Sequence, residues 1–150
     1  MIAVTQIVKN ASVEVVSQPE TKRSISGGLV VYLCVSPTDT EIQVEKLVSK
    51  ILKLRIFPDS EDKMNQDILT TKGEILLISQ FTLLADLKGN NRPSFSQAAN
   101  KDLALSLYEL FADKLTAAGI TVQNGYFGEH MSIGLTLLGP VTIILDSDKI

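Results

Sequence analysis

The residues best placed to do chemistry in this 150-residue chain lie in one short stretch, Ile75-Leu76-Leu77-Ile78-Ser79-Gln80-Phe81-Thr82-Leu83-Leu84. An apolar run is interrupted there by three hydrogen-bonding side chains and then resumes. Ile75 to Ile78 is too short and too β-branched for a helix and reads as a buried strand, which delivers Ser79, Gln80 and Thr82 to its C-terminal edge. A buried polar group left unpaired costs about 1–3 kcal/mol. These side chains therefore either bond to neighbouring backbone or face a ligand, and the pattern alone leaves both readings open.

Other reactive side chains are few. His130 is the only histidine, so a Ser-His-Asp triad would have to use it, and a lone histidine in a turn is ordinarily a surface side chain. No phosphate-binding glycine loop, dinucleotide fingerprint or metal-binding histidine pair is present. Cys34 is the only cysteine, which excludes an intramolecular disulfide and a cysteine-based zinc site within one chain. Inside Val30-Val31-Tyr32-Leu33-Cys34-Val35 it reads as a buried structural thiol. If the chain is a hydrolase, its chemistry rests on backbone N–H donors and the substrate's own groups, with no metal and no cofactor expected.

Composition bounds the class. The chain is 45% hydrophobic and 21% charged, with no apolar run near 18 residues, so it is neither disordered nor membrane-spanning. Its length fits one domain over residues 1–150. Met1 leads straight into strand-like alternation with no export signal, so the expected location is cytoplasmic. A net charge of −3 gives no global attraction to nucleic acid. Lys22-Arg23 and Lys88 with Arg92 remain candidate basic patches. The loop Asp86 to Ser94, directly after a strand edge, suits a phosphate backbone or is an ordinary solvated loop.

The elements that must position these residues follow from periodicity. Ile2 to Lys9 and Ala11 to Val16 read as two strands joined by a tight Asn10 turn. Gln18 to Gly27 reads as a polar loop and Gly28 to Val35 as a strand covered on both faces. Thr38-Asp39-Thr40-Glu41 has capping-box spacing before a helix whose apolar positions are Ile42, Leu47, Val48, Ile51 and Leu52, with Pro58 as its outer limit. Phe57 to Thr71 reads as a loop with a short strand or turn. Asn100 can cap a second helix with Leu103, Leu107, Leu110, Phe111 and Leu115 on one face and Gly119 as its stop. Ile120 to Asn124, Met131 to Leu138 and Val141 to Leu145 read as strands, separated by the glycine-bracketed turn Gly125-Tyr126-Phe127-Gly128 and the break Gly139-Pro140. The tally is roughly seven strands and two helices, an α+β domain with both helices packed on one side of a mostly antiparallel sheet.

Ser79-Gln80-Phe81-Thr82-Leu83 and Gly139-Pro140-Val141-Thr142-Ile143 then decide the matter. Together with Gln6, Ala11-Ser12-Val13, Leu54-Arg55-Ile56-Phe57, Arg92-Pro93-Ser94-Phe95 and Phe127-Gly128, they make the chain resemble the D-aminoacyl-tRNA deacylase family over its whole length. The resemblance implies a barrel-like sheet and a cytoplasmic homodimer. It also implies hydrolysis of the ester that joins a D-amino acid, or glycine mischarged on tRNA(Ala), to the 3′ end of tRNA, as chiral proofreading in translation quality control.

The site is implied residue by residue. Ser79, Gln80, Phe81 and Thr82 would form its floor, with the backbone N–H groups of Phe81 and Thr82 facing the ester carbonyl as an oxyanion-type pair. No side chain would attack; the 2′-hydroxyl of the terminal adenosine would help activate a water. Phe127, Gly128 and Met131 would line the adenosine pocket. Gly139 and Pro140, with a cis peptide bond, would enter the partner subunit's site and leave no room for an L side chain.

Three positions depart from the family pattern. Ile7 stands where arginine is usual, and Leu137-Leu138 stand where Asn-Asp is usual. The gate is then either held by packing or relaxed toward L-aminoacyl esters. Two alternatives of other kinds are a tRNA-binding paralogue without turnover and a small-molecule hydrolase, which would cleave free D-amino acid esters as fast as tRNA esters.

Overall fold

A computed structural model describes residues 1–89 and 91–150. Its backbone is organised by β1 (Ile2–Val15), a single 14-residue strand where two strands and an Asn10 turn were expected. β8 (Met131–Asp146) pairs with it along both halves, so the ladder carries the chain past Asn10. Between Val8↔Leu137 and Asn10↔Thr136, β1 has one residue more than β8, which makes Lys9 a bulge. At that bulge, rather than at a turn, the buried odd-numbered positions switch face: Ala3 and Ile7 belong to one core cluster, Ala11 and Val13 to the other.

The expected polar loop is also strand: β2 (Gln18–Ile25) pairs antiparallel with the second half of β1. Most of its side chains face solvent, so the apolar alternation that would announce a strand is missing from its sequence. β3 (Gly28–Cys34) pairs with the first half of β1 and is buried almost throughout. A Cβ on Gly28, whose φ is +138°, would lie 2.0 Å from the Glu74 carbonyl oxygen, so only glycine permits β6 (Glu74–Ser79) to approach.

α1 (Glu41–Leu52) begins two residues later than the expected capping box. Thr40 is the N-cap, and its N–H donates to Gln43 Oε1 at 2.8 Å. Asp39 is instead buried, accepting from the Met1 amine at 2.7 Å and from the Ser36 N–H at 2.6 Å. Val44, Leu47, Val48 and Ile51 form the buried face of α1, and Ile42 is exposed. β4 (Phe57–Pro58) and β5 (Met64–Gln66) make a small ribbon. α2 (Lys101–Ala117) is capped by Asn100 Oδ1, which accepts from the Leu103 N–H at 3.0 Å, and it leads through Gly119 to β7 (Val122–Asn124).

The sheet is mixed rather than mostly antiparallel. β1 runs antiparallel to β2, β3 and β8, whereas β3, β6 and β7 are mutually parallel. The cause is that α1 and α2 each return the chain to the end where the previous strand began. Arg23 Nη1 donates to the Asn124 carbonyl at 2.7 Å, and the Tyr126 hydroxyl bonds to the Thr21 carbonyl. These bonds join the β2 and β7 sides, so the sheet is nearly closed and barrel-like. Both helices pack on one face, where Leu47, Ile51, Phe111 and Leu115 meet Leu29, Val31, Ile75 and Leu77. Val8, Val13, Val30, Leu76 and Ile78 form a second cluster on the other face.

Candidate active site

β6 ends at Ser79, and the Gln80 N–H still reaches the Leu33 carbonyl at 2.8 Å, so the chain leaves the sheet in a fixed direction. It then makes a 3₁₀ turn over Phe81–Leu84, in which Leu83 N–H bonds to the Gln80 carbonyl at 3.3 Å. The first N–H groups of such a turn have no partner within it. Among the described residues no backbone carbonyl outside the turn accepts from Phe81 or Thr82. Two adjacent main-chain donors are thereby presented from a rigid strand end.

The side chains of this stretch partly satisfy one another, since Gln80 Nε2 donates to Thr82 Oγ1. Phe81 is 54% exposed and packs edge-on against Phe95, ring centroids 5.0 Å apart. Beneath the turn, the Cys34 thiol donates to the Phe81 carbonyl at 3.4 Å. Burial pushes that thiol up to about 11, so it is neutral at physiological pH and acts as a structural donor.

Ser79, Gln80 and Phe81 line a cavity of about 560 Å³ together with Phe127, Gly128 and Met131. Thr82 sits in the same turn without lining it. The two groups of residues are joined through one carbonyl: Leu77 O accepts from the Gly125 N–H at 2.8 Å and from the Tyr108 hydroxyl at 2.8 Å. A Cβ on Gly125 would lie 2.9 Å from Ile78 Cδ1, so glycine lets the aromatic turn settle directly on β6. The Tyr126 N–H points at the Met131 sulfur, 3.2 Å away. Burial is the main force raising the Tyr108 hydroxyl well above its ordinary value, which keeps it a donor.

Two charged residues of the cavity, Lys101 and Glu129, were not singled out by sequence. Lys101 opens α2 and lines the wall, a position visible only once Asn100 is known to cap next to the site. His130, read as a surface residue, is exposed but also lies on the rim.

Gly139 and Pro140 are not at this cavity. Between Gln6↔Thr142 and Val8↔Leu137, β1 advances by Ile7 alone while β8 inserts Leu138 to Val141. The insertion forms a wide bulge opposite Ile7, which is buried beneath it. Gly139 lines a separate cavity of about 870 Å³, with Leu138, Val141 and Ile56 to Pro58. The expectation of a cis Gly139-Pro140 bond is corrected: this bond is trans. The bend is made at Gly139 instead, with φ +130°, and a Cβ there would lie 2.2 Å from the Val141 nitrogen.

Of the expected basic patches, Arg23 is committed to structure, its guanidinium 4.0 Å from the Tyr126 ring centre. The Asp86 to Ser94 loop is closed by paired backbone bonds between its ends at 2.8 and 2.9 Å, and Lys88 is exposed on it. Asn90, part of that expected loop, lies outside the described residues.

Comparison with known proteins identifies the family and the fold. The family described as D-Tyr-tRNA(Tyr) deacylase matches residues 4–146. A D-aminoacyl-tRNA deacylase of Aquifex aeolicus (strain VF5) is 48% identical over 150 residues, the whole of both chains. Among solved structures, a c-Myc DNA Unwinding Element Binding Protein is 36% identical with TM-score 0.88, covering 97% of this chain and 98% of its own. A probable eukaryotic D-amino acid tRNA deacylase shares the fold at TM-score 0.83 and 19% identity, over 96% of this chain and 97% of its own. The chain belongs to the D-aminoacyl-tRNA deacylase family. Its activity is the family's: hydrolysis of D-aminoacyl-tRNA, a tRNA proofreading reaction. No described helix is long and apolar enough to cross a membrane.

Proposed function

We propose that the chain acts as a cytoplasmic homodimer, residues 1–150 forming one catalytic domain, with the ester carbonyl of D-aminoacyl- or glycyl-tRNA held against the N–H groups of Phe81 and Thr82. A water, activated by the 2′-hydroxyl of the terminal adenosine, adds to the carbonyl carbon. The carbonyl electron pair moves to oxygen, where the two donors stabilise it. Collapse of this intermediate expels the 3′-oxygen, which takes a proton, leaving free amino acid and tRNA. Ser79 and Gln80 shape the floor, and Phe127, Gly128 and Met131 hold the adenosine.

The observation that carries this reading is the pair of unclaimed main-chain donors at the end of β6, beside a cavity lined by Phe127, Gly128 and Met131. Gly139 and Pro140 of the partner act as the chirality gate. In support, the bulge that holds them is exposed and remote from its own chain's cavity, so it is free to enter another copy's. A second reading, a relaxed gate, is favoured by the apolar Ile7, Leu137 and Leu138 around it.

Rates of hydrolysis of D-tyrosyl-, glycyl- and L-alanyl-tRNA separate the two. The strict gate requires cleavage of the first two and protection of the third. Appreciable L-alanyl cleavage establishes the relaxed gate, and no cleavage of any of the three contradicts both.

A further inference from the structure

The last turns of α1 carry a cluster of cations that the reaction does not use. Lys46 and Lys50 share one helix face at i, i+4, and Lys53 and Arg55 follow just beyond the helix end. All four are exposed. With Ser49, Leu54 and Ile150 they enclose a concavity of about 530 Å³ whose lining includes no aspartate or glutamate.

These charges are not neutralised locally. No ion pair among the described residues involves any of the four. Lys46 Nζ reaches only the Ser147 carbonyl at 3.5 Å, and Arg55 bonds to the neutral Asn65, its Nε 2.8 Å from that residue's carbonyl. The carboxylate that senses Arg55 is Asp67, held below its ordinary value first by the Thr70 N–H and least by Arg55. Favourable contact with the helix dipole explains Lys50 in the last turn but not Lys46 or Arg55. The contrast with α2 is instructive, because Lys114 in its last turn is paired with Glu41 and Glu45, both at 3.0 Å.

In a chain of net charge −3, four cations that form no ion pair among the described residues gather around one hollow. From Lys46 to Lys53 they span about 10 Å, the length of roughly three base-pair steps along one strand. Position supplies the partner. Arg55 runs directly into Ile56 to Pro58, which line the cavity shared with Gly139. The hollow thus lies at the gate end of the protomer, which in the proposed dimer flanks the partner's reaction cavity.

We infer that Lys46, Lys50, Lys53 and Arg55 grip acceptor-stem phosphates of the tRNA whose 3′ end is being hydrolysed, an inference that rests on the ester-on-tRNA reading above. The test compares wild type with the double variant Lys50→Gln/Lys53→Gln on D-tyrosyl-tRNA and on 3′-O-D-tyrosyl-adenosine, which has the ester but no stem. On the tRNA substrate, kcat/KM should fall about tenfold or more near physiological salt, and the slope of its logarithm against log[salt] should shrink by about 2. The inhibition constant of uncharged tRNA should rise by a similar factor, while cleavage of the adenosine ester is unchanged. Equal loss on both substrates, or unchanged rate and salt slope on tRNA, overturns the inference. Wild type inert toward D-tyrosyl-tRNA sinks the parent reading and this one with it.

Discussion

Thr82 is the residue most easily mistaken for a nucleophile. Its hydroxyl accepts from Gln80 Nε2, and no histidine bonds to it. Its contribution in the proposed mechanism is a main-chain N–H, which every amino acid but proline supplies. Thr82→Ala should therefore keep kcat/KM for D-tyrosyl-tRNA within about tenfold of wild type, whereas deleting a true nucleophile costs on the order of 10⁴-fold or more. A loss of the larger size would establish side-chain attack. The motif Ser79 to Thr82 was legible in the sequence as polar groups at the end of an apolar run. What it could not reveal is that Gln80 and Thr82 bond to each other, which leaves the N–H groups as the free chemistry. The lysines of α1 illustrate the converse. Their spacing reads as an ordinary solvated helix face, and their shared hollow exists only because the chain beyond the helix brings Arg55 beside them.

At the scale of elements, the strands that bury both faces, β3 and β6, were plain from their apolar runs, as were both helices. β2 was not, because a strand that turns most of its side chains to water carries no alternation to read. The continuity of β1 through Asn10 depends on β8, more than a hundred residues away, and no local pattern encodes it. The start of α1 shows the same dependence. Two residues, Thr38 and Thr40, offer cap chemistry, and the choice is made by Asp39, which the buried Met1 amine and the Ser36 N–H hold in place. Asp39→Ala removes one partner of a buried pair and should destabilise the fold by about 3 kcal/mol, read from urea unfolding. A change under about 1 kcal/mol would mean that this contact does not fix the junction between β3 and α1.

At the scale of the whole molecule, one protomer holds the donors at one cavity and the Gly139-Pro140 bulge at another. In a two-fold dimer each protomer can give its bulge to its twin and receive one in return. Heterodimers test this directly. Phe81→Pro removes one donor at the first position of the 3₁₀ turn, where proline's geometry is tolerated. Gly139→Ala forces a Cβ to 2.2 Å from the Val141 nitrogen and displaces the bulge, and each homodimer should lose at least about tenfold in rate. A doubly tagged heterodimer of the two variants contains one site with both an intact turn and an intact bulge if the bulge acts across the interface. Its hydrolysis of D-tyrosyl-tRNA should recover to about half the wild-type rate per dimer. A heterodimer no faster than the mean of its two parent homodimers would contradict a site shared between protomers.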